Sequence, residues 1–187
     1  ASMSGRTDYS DTAQNVNGSL MGKDCRKRVA YSLGMVNFIQ MCANSLCFAL
    51  IPLRSHQLEF SAVHTGQLLS ISAIMQVFSS VIIQKYLELN FDTNKFTKIV
   101  FGQLLLMLQC FIMGHAMNIK KIGESDKTEF VFLIIVAQAI GGFGSGLIQT
   151  LSLHVISKFP INEKLDRLKL FGILQLLGCI FGPGIDQ

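Results

Sequence analysis

Stretches free of charge alternate along this chain with short polar segments. Residues 29–53, 60–84, 99–119, 130–157 and 170–185 contain no Asp, Glu, Lys or Arg. Crossing the hydrocarbon core of a bilayer takes roughly 20 predominantly apolar residues in a helix. The first four stretches meet that length and the fifth falls a little short. The pattern predicts an all-α, polytopic transmembrane bundle with helices at about 29–53, 62–84, 99–119, 130–157 and 168–187. Any single stretch could be a buried helix of a water-soluble domain. A series of this length without a charge fits lipid as the surrounding solvent.

Composition agrees. Half of the residues are hydrophobic and 15% are charged, against about 25% charged in ordinary soluble domains, and the mean hydropathy is +0.43. Residues 1–28 are polar and rich in Ser, Asn, Gly and Asp at their start, and are expected to form a disordered tail. The first apolar stretch is too long for a signal-peptide core and lacks a small-residue cleavage site after it, so it is expected to stay as a helix. Position 1 is not Met and the last stretch reaches Gln187 without a flanking loop. Both features lead us to expect a piece of a longer chain.

The basic residues predict an orientation. Arg6, Lys23, Arg26, Lys27 and Arg28 precede the first helix. Lys85, Lys95 and Lys98 lie in the second loop, and Lys158, Lys164, Arg167 and Lys169 in the fourth. The alternate side holds Arg54, Lys120, Lys121 and Lys127. A three-to-one bias that alternates correctly places the amino terminus in the cytosol. The tail's Asn17-Gly18-Ser19 acceptor would then go unused. The net charge of +4 reads as this topology signal, with the Lys23–Arg28 cluster against anionic headgroups. No aromatic stacking pattern or binding module supports nucleic acid as a partner. Plasma and endolysosomal membranes both remain open as the host.

Amides interrupt the apolar stretches. Asn37, Gln40 and Asn44 share one face of the first helix at i, i+3 and i+7. Gln138, Ser145, Gln149 and Ser152 form a similar stripe on the fourth. A polar group in hydrocarbon costs several kcal/mol on the order of a lost hydrogen bond or more, so these side chains turn toward other helices or a wet cavity. Interhelical bonding explains them without a substrate; a cavity lining explains both stripes together. The fourth helix also carries Gly141-Gly142-Phe143-Gly144-Ser145-Gly146. Each glycine costs roughly 1 kcal/mol of helix propensity against Ala, and the common return in a membrane is close approach of another helix. A phosphate-binding loop would need a following Lys-Ser/Thr, which is missing.

His56, His64 and His115 lie toward the non-cytosolic side, where they could sense pH or simply be solvated. His154 lies near the cytosolic end of the fourth helix. Cys42, Cys47, Cys110 and Cys179 sit in apolar stretches as small hydrophobes, and with Cys25 they form no C-x-x-C pair. Neither a metal site nor a cofactor is expected. No His cluster, nucleophile–base pair or intramembrane carboxylate suggests an enzyme.

The last stretch reads GILQLLGCIFGPGID, in which Gly178, Gly182 and Pro183 make the G-x-x-x-G-P pattern found in helix 5 of major facilitator superfamily transporters. The glycines supply a packing face, and Pro183 removes a backbone donor and bends a helix. VAQAIGGFGSG, with Gly142 and Gly146, resembles the family's helix 4 motif, with Gln138 at the position of its Arg. Glu163-Lys164 resembles the acidic-basic pair at the start of helix 5. The second loop, QKYLELNFDTNKF, departs from the family's loop motif: Gln84 replaces Gly, Glu88 falls at the Asp position, and Lys95 and Lys98 are what remains of its basic end.

The resemblance covers roughly residues 28–187 and looks nearest the divergent lysosomal-type members. It implies five spans of a six-helix half, with a carboxyl-terminal half as partner. It also implies a midplane site reached by alternating access, and three-helix repeats that make helices 1 and 4 equivalent. Asn37, Gln40, Asn44, Gln138 and Gln149 would then line the site for a small, uncharged polar solute. Gln138 carries no charge and helix 1 lacks an acid. Coupling then resides in the other half, or the protein is a facilitator, or transport has been lost in favour of a receptor or scaffold role.

Overall fold

The computed structural model describes residues 22–89, 95–119 and 124–184. They form five helices: α1 (Lys23–Gln57), α2 (Ala62–Leu89), α3 (Lys95–Met117), α4 (Glu124–Ser157) and α5 (Ile161–Gly184). No strand occurs among the described residues. α1 to α4 are long and apolar enough to cross a membrane. α5 is not among these, since its first turns carry Glu163, Lys164, Asp166, Arg167 and Lys169.

The helices outrun the charge-free stretches that announce them. Residues 23–28, expected in the tail, are helical, and residues 1–21, with the Asn17 acceptor, lie outside the described part. α4 begins at Glu124 and α5 at Ile161. The physical reason is that lipid decides where charges stop, whereas the backbone ladder runs on until a cap or turn ends it. Asp24 in the first turn of α1 also suits the positive end of the helix dipole.

Short links reverse the chain. At the end of α1, Glu59 adopts φ 61°, its N–H bonds His56 O at 3.1 Å and the N–H of Phe60 bonds Ser55 O at 3.0 Å. This is a Schellman cap with Glu where Gly is usual. Phe60, the next residue, stacks on Phe130 of α4 with ring centroids 6.1 Å apart, which holds the turn. Arg54 adds a tie across the same end by donating to Ile119 O, just past α3. Ser61 opens α2 as a cap, its Oγ accepting from the N–H of His64 at 3.4 Å.

α4 is the central helix. It packs closely on both α2 and α3, while α5 packs mainly along α1, and α1 touches α2, α3 and α4 more lightly. Of the most apolar stretch in α4, 56% is buried, against 22–28% in α1, α2 and α3. Two apolar clusters fill opposite ends of the bundle. One joins Leu33, Ile83, Ile99, Leu151, Ile156 and Phe171 near the start of α1. The other joins Ile51, Leu58, Met113, Phe130 and Ile134 at the far end. Outward faces are apolar too: on α3, Phe96, Val100, Leu104, Met107 and Phe111 are all exposed, the last by 78%. A continuous apolar stripe of this kind suits contact with lipid and not with water.

Candidate functional site

Near mid-height, amides and hydroxyls from α1 and α4 meet. Asn37 donates to Ser152 Oγ at 3.3 Å and to its own helix at Leu33 O. Gln40 donates to the backbone oxygen of Ser145 at 3.2 Å, and Asn44 to Ser145 Oγ at 3.1 Å. The three α1 amides therefore read one stripe of α4, each about one turn below the next. Asn37, Gln40, Ser145 and Ser152 are fully buried, and Asn44 is half-buried. A seam between two apolar helices is thus closed by uncharged hydrogen bonds, which are worth about 0.6 kcal/mol each on average within a membrane.

The other helices add to this layer. Gln76 of α2 donates to Gln149 Oε1 at 2.6 Å, and Ser79 to Phe143 O at 2.9 Å. From α3, Gln103 reaches Val36 O of α1 at 3.2 Å. Gln109, wholly buried, contacts Cys47 Sγ at 3.5 Å. Gln138 is also buried. Asn37 Oδ1, Gln40 Oε1, Gln109 Oε1 and Gln138 Nε2 have no hydrogen-bond partner among the described residues. Buried polar atoms left over in this way are met by water, by a further helix or by a ligand. Sequence reasoning singled out neither Gln76, Gln103 nor Gln109, although each is an amide in a charge-free stretch and the same rule finds them.

Glycines set how closely these helices approach. A methyl group at Gly142 would collide with Ser72 O, and one at Gly146 would meet Gln76 O at 2.5 Å, so α4 rides directly on the backbone of α2. On α3, Gly102 faces Gly144, where a methyl at either would come within 3.1 Å of the other's oxygen. Gly141 is covered by the Gln109 side chain. The α1–α5 pair is built alike. A methyl at Gly178 would lie 2.7 Å from Phe38 O, and one at Gly182 would lie 2.8 Å from Cys42 O. Ser45 Oγ donates to Cys179 O at 3.3 Å beside them. The side chain of Pro183 lies outside the described residues, as do those of Glu88 and Lys95 and all of residues 90–94.

All the expected amide positions but Gln138 are engaged across helix seams among the described residues. Asn37, Gln40 and Asn44 are brought together with Ser145 and Ser152. Gln149 pairs with α2, and Gln138 has no described bond to the others. Two clefts on the bundle are lined mainly by apolar side chains. One of about 230 Å³ runs between α1 and α3 past Ile39, Ala43, Leu106 and Cys110. The other, about 180 Å³, lies between α2 and α4 past Leu68, Ile71 and Ile135. Among the described residues no three His, Cys, Asp or Glu side chains group as metal ligands would. His64 Nδ1 lies 2.7 Å from Ser61 Oγ.

At the end of the bundle where α1 begins, Arg26 grips Glu163 of α5 through Nε at 3.3 Å and Nη2 at 3.1 Å. The two-point hydrogen bond from Arg26 lowers the Glu163 carboxyl below its ordinary value, helped by the charges of Arg26, Arg167 and Lys23. The same bond raises Arg26. The pair joins residues 137 positions apart and has no signature in the local sequence.

No family model, curated protein or solved structure matches this chain.

Proposed function

We propose that this chain is the amino-terminal helical bundle of a major-facilitator-type transporter that moves a small, uncharged polar solute by alternating access. In this reading α5 is the fifth span and the amino terminus is cytosolic. The observation that carries it is the uncharged polar layer at mid-height, built on α1 and α4. Those are the two helices that three-helix repeats would make equivalent. Helix pairing supports it further. An exchange of 1 with 4 and 2 with 5 turns the α1–α5 seam into the α4–α2 seam, and both are glycine-spaced. Buried oxygens on Asn37 and Gln40 without partners are the groups a solute would engage once the helices part.

The layer's composition supports the solute class. It holds amides and hydroxyls and no formal charge among the described residues, so a charged solute would find no counter-ion in this layer. The test is uptake of a panel of radiolabelled sugars, polyols and neutral amides into vesicles containing the full-length protein. One or more should enter, and Gln149→Leu should slow entry without lowering the amount in the membrane. A panel without any uptake favours the second reading, a non-transporting receptor or scaffold that keeps the fold. That reading has its own support in the amides of α1 and α4, which bond one another and close the seam.

A further inference from the structure

The Arg26–Glu163 pair does not neutralise its surroundings. Lys23, Arg26 and Arg167 all act on the single Glu163 carboxylate, and Arg167 Nε is enclosed without a partner. With Asp24 and Asp166 counted, residues 23–28 and 163–169 hold seven cations against three anions, an excess of four positive charges at the start of α1 and α5. Lys27 and Arg28 on α1 and Lys164 and Lys169 on α5 continue the basic surface.

The apolar residues beside these charges fix its depth in the membrane. On α1, Tyr31 is 54% exposed and stands one turn beyond Lys27, directly above the exposed Met35 and Ile39. Tyr at the boundary between basic turns and an apolar stripe marks the level of the headgroups. On α5, Ile161 and Leu165 are 87% and 60% exposed. They continue, at helical spacing, the outward stripe of Ile173, Leu176 and Ile180. The first turns of α5 therefore offer apolar side chains outward and basic side chains beside them, as an interfacial helix does.

We infer that the α1–α5 junction is a binding site for one anionic phospholipid, whose phosphate sits against Lys23 and Arg167 and whose acyl chains run down the Tyr31–Met35 and Ile161–Leu165 flanks. Glu163 holds Arg26 aside and orients the two helix ends. The lipid phosphate supplies the missing negative charge and strengthens the hold of α5, whose main neighbour is α1. This inference needs the membrane but not transport, so it stands or falls independently of uptake.

The test is native mass spectrometry of the full-length protein released from micelles with equal phosphatidylglycerol and phosphatidylcholine, with circular dichroism confirming helix content. Wild type should retain phosphatidylglycerol in preference. Each cation at an anionic surface is worth about a fivefold change in affinity, so Lys23→Gln with Arg167→Gln should cut that preference about tenfold or more. Either single variant should give about a fivefold cut, which keeps the test open if the double variant fails to fold. Lys127→Gln, at the opposite end of the bundle, should leave the preference unchanged, and millimolar inorganic phosphate should not displace the lipid. Equal retention of both lipids by wild type, an undiminished preference in the variants, or an equal loss in Lys127→Gln would overturn the assignment. Displacement by phosphate would reassign the cluster to a soluble anion and overturn it as well.

Discussion

The α4–α2 and α1–α5 seams use the same device and differ in what surrounds them. Both set a pair of glycines four residues apart against two backbone oxygens of the neighbour that also lie four residues apart. Around α4 the device is repeated on other sides: α3 closes on Gly144, and α1 bonds Ser145 and Ser152. α5 has α1 along one side and only slight contact with α4. The glycines also lie on opposite members of the two pairs, on α4 in one and on α5 in the other. Close approach needs a missing side chain on only one of the two helices. What distinguishes the seams is enclosure: α4 cannot move without disturbing three neighbours, whereas α5 can separate from one.

The largest expected effect follows from that enclosure. Gly142→Leu forces a side chain into the α2 backbone, and overpacking costs about 1–3 kcal/mol even where neighbours can shift. Here they cannot, so we expect loss of monodisperse protein, or a thermal midpoint lowered more than by any change on α5. Gly182→Leu should act locally, by displacing α5 from α1. Maleimide labelling of Cys42 should then rise several-fold while Cys47, about one and a half turns further along α1 and buried against Gln109 of α3, stays protected. Equal losses of stability from the two glycine variants would remove the distinction between the seams.

Smaller effects sharpen it. Gln40→Leu removes a bond to Ser145 O and also an unpartnered buried oxygen, so the two changes oppose each other. A change of about 1 kcal/mol or less is expected in denaturant titration, well below that of Gly142→Leu. The smallest effect is expected at the Arg26–Glu163 pair. The Glu163 carboxyl is lowered from its ordinary value of 4.5 by the bond from Arg26. Its contribution is therefore full above that value and lost as the pH falls through the lowered one. Glu163→Gln should reduce stability slightly at neutral pH and make no difference in strong acid. An equal difference at both ends of the pH range would show that the pair does not act through this ionisation.

Much of the fold was legible because lipid imposes a simple rule on sequence. Each described helix contains one charge-free stretch, and the shared face of Asn37, Gln40 and Asn44 follows from their spacing alone. Helix ends were less legible, since Lys23–Arg28 and Glu163–Lys169 are charged yet helical, and charge measures depth in the bilayer, not the backbone's conformation. Partner choice was illegible: nothing near Asn37 names Ser152, and nothing near Arg26 names Glu163. Those contacts depend on how far each helix slides against the next. The glycine positions set that register, and it emerges only when the helices are packed.

All of this presumes that α1 to α4 cross a bilayer, and topology mapping tests that most directly. Single cysteines replacing Lys27, Gln57, Lys127 and Lys164 in a cysteine-free protein would be labelled with an impermeant maleimide in sealed vesicles. Positions 27 and 164 should react from the cytosolic face, and 57 and 127 only from the opposite face. Reaction of all four from one face would contradict the account.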